Sequence, residues 1–130
     1  QDDHFSEAGR DLFVHAGYKM SPESDRTGIR LQGPAIGRKT GIEDSIISEG
    51  VVAGSIQIPG DGKPIIILGE TVTGGYRKIA TVIAADLPLL GQIKPGDDLQ
   101  FEAVCEKTAH QALQEMEDRI RSFKEGLATV

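Results

Sequence analysis

Between positions 17 and 105 apolar residues fall in short runs and alternations broken by glycine and proline, whereas near both ends they recur every three or four residues. The first pattern belongs to β-strands and the second to amphipathic helices. In "FSEAGRDLFVHAG", Ser6 is placed to cap a helix, Leu12, Phe13 and Ala16 lie near one face, and Gly17 is a stop. A short helix from about Glu7 to Ala16 is predicted. "YKMS" reads as brief and extended, and "PESDRTG" has the Pro, Ser, Asp and Gly density of a turn. "IRLQG" alternates, sending Ile29 and Leu31 to one face of a strand and Arg30 and Gln32 to the other.

From Ile46 onward the pattern is strand upon strand. "SIQI" and "IIIL", joined by "PGDGKP", predict two adjacent strands in a hairpin. The apolar run Ile79 to Ala85 predicts a strand around Ala80 to Ile83. A helical turn near Leu87 to Leu90, a turn at Lys94 to Asp97 and a last strand from Leu99 to Cys105 follow. The period then changes. Thr108 and Gln111 are spaced as a capping box, and Leu113, Met116, Ile120, Phe123 and Leu127 form one stripe. This predicts a long amphipathic helix over roughly Ala109 to Glu125, packed on the strands by that stripe, with a partner helix or subunit as the alternative.

At 130 residues the chain is the size of one domain spanning 1–130, able to bury a core without staples. Its single cysteine, Cys105, has no internal partner and reads as a packed, inert thiol in a strand. Together with the lack of any long apolar run, this points to a reducing, cytoplasmic setting and away from a membrane. The formal net charge of −6, with no basic block, argues against nucleic acid as a partner. His4, His15 and His110 are scattered, so no metal site is expected, and the latter two are placed at the surface. The opening "QDDHF" has no initiator methionine and reads as cut from a longer chain.

Two stretches carry chemistry. "TVTGGYRK" sets Thr73, Gly74, Gly75, Tyr76 and two cations after an apolar strand; it fits either backbone N–H groups turned toward an anion or a plain tight bend. Gln57 alternates with Ile56 and Ile58, so its amide faces either solvent or a ligand cleft. Arg30 has the same two options, and Asp25 and Arg26 are equally consistent with an ion pair that fixes the turn.

Taken in order, "SDRTGIRLQGP", "ISEGVVAGSIQIPGDGKPIIIL" and "TGGYRKIATVIAADLPLLGQIKPGD" resemble the C-terminal half of the allophanate hydrolase subunit 2 family. That family includes the C subunit of the prokaryotic 5-oxoprolinase, the carboxyltransferase portion of urea amidolyase and the KipI antagonist KipA. The resemblance implies a mainly β, cyclophilin-like closed β-barrel, to which the residue pattern adds the short N-terminal helix and, outside the resemblance, the long C-terminal amphipathic helix. It also implies work on an amide or lactam, through carboxyl transfer or ring opening. Either reaction develops charge on oxygen and needs fixed donors and a placed proton carrier. Matched motif by motif, Lys78 and Tyr76 become candidate catalytic residues, and Arg26, Arg30, Gln57, Thr73, Gly74, Gly75 and Asp86 candidate substrate-binding residues. No cofactor is expected on this chain itself, ATP or biotin belonging to a full complex with a B-type subunit, similar to KipI, and a missing N-terminal half. The regulatory alternative is a KipA-type protein that antagonises a histidine-kinase inhibitor. The sequence departs from the family where Thr27 replaces a common methionine, and where Val72 and Arg77 replace threonine and proline.

Overall fold

The computed structural model describes residues 1–43, 45–69 and 73–128. After a 3₁₀ turn at Asp2–His4, helix α1 spans Glu7–His15, with the Ser6 hydroxyl accepting from the Gly9 N–H at 3.0 Å. The cap that the sequence suggested is therefore in place, satisfying one orphan donor of the first turn. Seven strands follow among the described residues: β1 (Gly17–Met20), β2 (Gly28–Gln32), β3 (Ser45–Gly50), β4 (Ser55–Ile58), β5 (Ile65–Ile67), β6 (Thr73–Thr81) and β7 (Asp98–Gln100). Between β6 and β7 lie a 3₁₀ turn, Ala84–Asp86, and the short helix α2, Leu87–Leu90. Helix α3, Glu106–Ala128, follows β7.

The strands form one antiparallel sheet in the order β3-β6-β4-β5-β2-β1-β7. The β4–β5 hairpin is present as predicted, and its loop turns at Gly62, whose φ of +76° favours glycine. Ile29 and Leu31 are buried while Arg30 and Gln32 are exposed, as the alternation required. The core gathers Phe5, Phe13, Tyr18, Ile29, Leu31, Ile36, Ile56, Ile58, Ile66 and Ile79.

The closed barrel is not formed, because the hydrogen-bonded order has two ends. Among the described residues β3 pairs only with β6, and β7 only with β1. Closure would need β3 and β7 to pair with each other. Instead β7 is three residues long, and β3 is an exposed edge with Ile47 93% accessible.

Five further expectations change. "TGGYRK" is neither a turn nor a bend: Gly74 and Gly75 are strand residues of β6, with Gly74 opposite Glu49 and Thr73 opposite Gly50. The last strand stops at Gln100 rather than Cys105, because its partner β1 begins at Gly17, opposite Gln100, and offers nothing beyond. Phe101 instead stacks on Phe13 at 4.5 Å between centroids. Consequently α3 starts three residues earlier than predicted, at Glu106, and the Thr108–Gln111 box is not its cap. Cys105 is exposed at the helix start, its Sγ 3.2 Å from Thr108 Oγ1, and not packed in a strand. Finally, α3 packs mainly against the 84–86 turn, so the far end of its stripe is uncovered.

Candidate functional site

Strand register sets Arg30 opposite Ile65, Ile65 opposite Gln57, and Gln57 opposite Lys78. Residues directly opposite in an antiparallel pair share a face. A guanidinium, an amide and an ammonium thus stand in one row across β2, β5, β4 and β6. A register shift between Ile56 and Gln57 separates this row from the Ile56–Ala80 pair beside it.

Gln57 is the most constrained member of the row. It is 4% exposed, and its Nε2 has no hydrogen-bond partner. Leaving a buried amide donor unpaired costs roughly 1–3 kcal/mol, so few such groups persist without a use. Glycine at position 74 makes this placement feasible, since a Cβ there would collide with Nε2 and sit 3.3 Å from the Val51 side chain.

Arg30 and Tyr76 line one cleft of about 520 Å³, together with Glu23, Gln32, Asp61 and Lys63. Its wall is therefore mixed in charge, carrying the cations Arg30 and Lys63 and the acids Glu23 and Asp61. Lys63, whose backbone N–H is held by Asp61 Oδ1 at 3.0 Å, was not singled out from the sequence. Its place in the loop "PGDGKP" was the available signal, because a tight hairpin projects that loop toward the neighbouring strand.

Lys78 does not reach that cleft. Its Nζ is 2.8 Å from Glu49 Oε1 and donates to the Gly50 carbonyl at 3.1 Å, beside a shallower depression shared with Gln1, Ser55 and Thr81. The hydrogen bond from Lys78 is the main reason the Glu49 carboxyl lies below the usual glutamate range, with the positive charge of Lys78 and a hydrogen bond from the Gln1 side chain adding to it. Glu49, too, was missed by sequence reasoning.

The remaining candidates are dispersed. Asp86 borders a separate groove of about 560 Å³, largely apolar, between Phe13, Ile79, Ile83 and Phe101. Arg26 is exposed in the β1–β2 turn, where Asp25 Oδ1 accepts from the N–H groups of Thr27 (2.9 Å) and Gly28 (3.1 Å). That carboxylate fixes the turn by an Asx arrangement. Thr73 is exposed at the start of β6, and the side of Gly75 that a Cβ would occupy faces the Ile46 carbonyl. Arg77 turns to His4, with Nη1 2.7 Å from Nδ1, and its Nε donates to the Glu43 carbonyl. No group of three or more potential metal ligands exists among the described residues, and no helix there is long and apolar enough to cross a membrane.

By fold the protein is a mainly antiparallel β domain with a helix at each end. The chain belongs to the carboxyltransferase domain family, subdomain A and B, whose family model matches residues 1–103. It is 34% identical over 122 residues to the C subunit of 5-oxoprolinase from Escherichia coli, covering 93% of this chain and 38% of that protein. Against the C subunit of the Haemophilus influenzae 5-oxoprolinase it is 42% identical over 88 residues, covering 67% of this chain and 28% of the relative. The crystal structure of Kluyveromyces lactis urea carboxylase superposes with a TM-score of 0.86 at 29% identity, over 97% of this chain and 12% of that one. The chain thus spans well under half the length of the curated relatives it matches.

Proposed function

We propose that this chain is the C-terminal part of a subunit that acts on an amide or lactam, of the kind represented by the C subunit of 5-oxoprolinase or by biotin-dependent carboxyltransferases. The observation that carries the reading is the unpaired Nε2 of buried Gln57, in register with Arg30 and Lys78. A carbonyl or carboxylate oxygen supplies the acceptor that this donor lacks, and the Arg30 guanidinium supplies a cation for the charge that gathers on such an oxygen during carboxyl transfer or ring opening. In this reading the Tyr76 hydroxyl, at the same cleft as Arg30, carries a proton to or from the amide nitrogen. Lys78, held by Glu49, steadies the far end of the row and is released to substrate only if that ion pair opens.

Arg26, Thr73, Gly74, Gly75 and Asp86 complete the binding surface in this reading only where the rest of the protein and a B-type partner cover the sheet. ATP or biotin, where the reaction uses one, is held elsewhere in that complex. Its cellular setting is the cytoplasm. Alone, this chain turns nothing over.

The regulatory reading, a KipA-type antagonist of a kinase inhibitor, has one observation in its favour: apolar residues exposed at the end of α3. One experiment separates the two. The full-length protein is purified with its B-type partner and assayed for ATP-dependent 5-oxoproline turnover, with Tyr76→Phe, Gln57→Leu and Lys78→Ala variants. Turnover that falls at least about tenfold in Tyr76→Phe and Gln57→Leu supports an enzyme role, being a loss of about 1.4 kcal/mol in the transition state. A tight complex with no turnover favours the antagonist. Turnover by this chain alone would overturn the dependence on partners.

A further inference from the structure

Helix α3 lies beyond residue 103, where the match to the carboxyltransferase family ends. Its apolar residues Ala109, Leu113, Met116, Ile120, Phe123 and Leu127 follow one another at alternating steps of four and three. That spacing is the seam of a coiled coil, with Leu113, Ile120 and Leu127 at one core position and Met116 and Phe123 at the other. The near end of the seam is accounted for, since the helix meets the 84–86 turn and Leu113 is half-buried. The far end is not: Ile120, Phe123 and Leu127 are 48%, 69% and 61% exposed. Two solvated turns with an apolar stripe are marginal as an isolated helix, because helices in proteins draw most of their stability from packing that stripe.

The charges beside the seam discriminate among occupants. On the outer face, Asp118 is engaged within the helix by Arg121 at 3.4 Å and Gln114 at 3.0 Å. Glu117 and Lys124, which flank the core on one side, and Arg119, on the other, form no ion pair with any described residue. A parallel, in-register pair would set Arg119 of each copy against Lys124 of the other, which is repulsive. An antiparallel pair with Ile120 over Phe123 and Met116 over Leu127 brings Glu117 alongside Lys124 of the second copy, twice by symmetry. It also sets Arg119 beside Gly126, which leaves room for the long side chain. Sliding that pair by one heptad in either direction brings Glu117 to Glu117 or Lys124 to Lys124. Of these arrangements only the first antiparallel one is both apolar in its core and complementary at its flank.

We propose that two copies of this chain associate through residues 116–127 of α3, packed antiparallel in that register. The partner is the same helix, and the contact is isologous, as closed two-fold dimers are.

The test is sedimentation equilibrium of the intact chain over a concentration series at low ionic strength, with circular dichroism to confirm that each variant is folded. Wild type should dimerise reversibly, and Phe123→Glu should abolish the dimer while leaving the sheet intact. Glu117→Lys and Lys124→Glu should each weaken it roughly fivefold, the scale expected for two exposed pairs turned repulsive. The double variant Glu117→Lys/Lys124→Glu should recover the wild-type affinity. A monomer at every concentration overturns the proposal. So does a dimer indifferent to Phe123→Glu, and so does one tightened by Lys124→Glu alone, which is the signature of the parallel pair.

Discussion

Gln57 fills the space that a side chain on Gly74 would need, so the two residues on β4 and β6 are sterically locked together. A methyl group added at Gly74 would meet the Gln57 amide nitrogen and sit 3.3 Å from the Val51 side chain. Gly74→Ala should therefore destabilise the fold by about 1–3 kcal/mol, the usual cost of overpacking a well-filled site. Equilibrium urea unfolding measures this, and combining it with Gln57→Ala should return most of the loss.

The same amide gives an opposite prediction when it is removed rather than displaced. Gln57→Leu keeps the volume and deletes an unpaired buried donor, so the urea midpoint should rise, by roughly 1 kcal/mol of stability. In the full complex the same variant should lose turnover. A variant that gains stability and loses activity identifies a group kept for its function.

Arg30 and Tyr76 lie on the exposed side of their strands and contribute little to the core. Arg30→Ala and Tyr76→Phe should leave the unfolding midpoint within about 0.5 kcal/mol of wild type. Under the proposed function, each should weaken substrate binding by the full-length protein with its partner about tenfold, as titration calorimetry would read.

Glu49 supplies a pH dependence. Its carboxyl is held below the ordinary value of 4.5 by Lys78, so the folded state binds its proton less readily than the unfolded chain does. The resulting stability is complete above pH 4.5 and is lost as the pH falls through the lower folded value. Unfolding midpoints measured from pH 6 downward should fall more steeply in wild type than in Glu49→Gln.

Cys105 should be the reactive thiol of this chain. The hydrogen bond to Thr108, then backbone N–H groups at the start of α3, push its pKa down while leaving it exposed. Alkylation by iodoacetamide should run faster than in the urea-unfolded chain at pH 7, and Thr108→Val should slow it.

The alternation of "IRLQG" and the hairpin of "SIQI" and "IIIL" were legible because each depends on a local period and a local turn. Three blocks of motif sufficed for the family. The misreadings share one physical cause: each needed knowledge of a distant partner. Two glycines look like a turn until β3 pairs beside them, and Phe101 looks like a strand residue until β1 runs out opposite it. Lys78 and Tyr76, two residues apart, looked like one site, yet Glu49 draws the first toward Gly50 while the second reaches Arg30's cleft. Sequence spacing fixes which face a side chain leaves from, not how far it then leans.

The row of Arg30, Ile65, Gln57 and Lys78 also has a kinetic meaning. Its members are separated by up to 48 positions in the chain, and β2 meets β5 only after the whole β3–β4 segment has been looped out. Closing such loops costs entropy before any contact repays it, so the Arg30–Ile65 and Gln57–Lys78 pairings, unlike the local β4–β5 hairpin, wait on the long-range strands coming together. No partly assembled chain presents the complete row. A ligand that engages the row binds the finished fold alone, and its occupancy would stabilise that fold and slow unfolding.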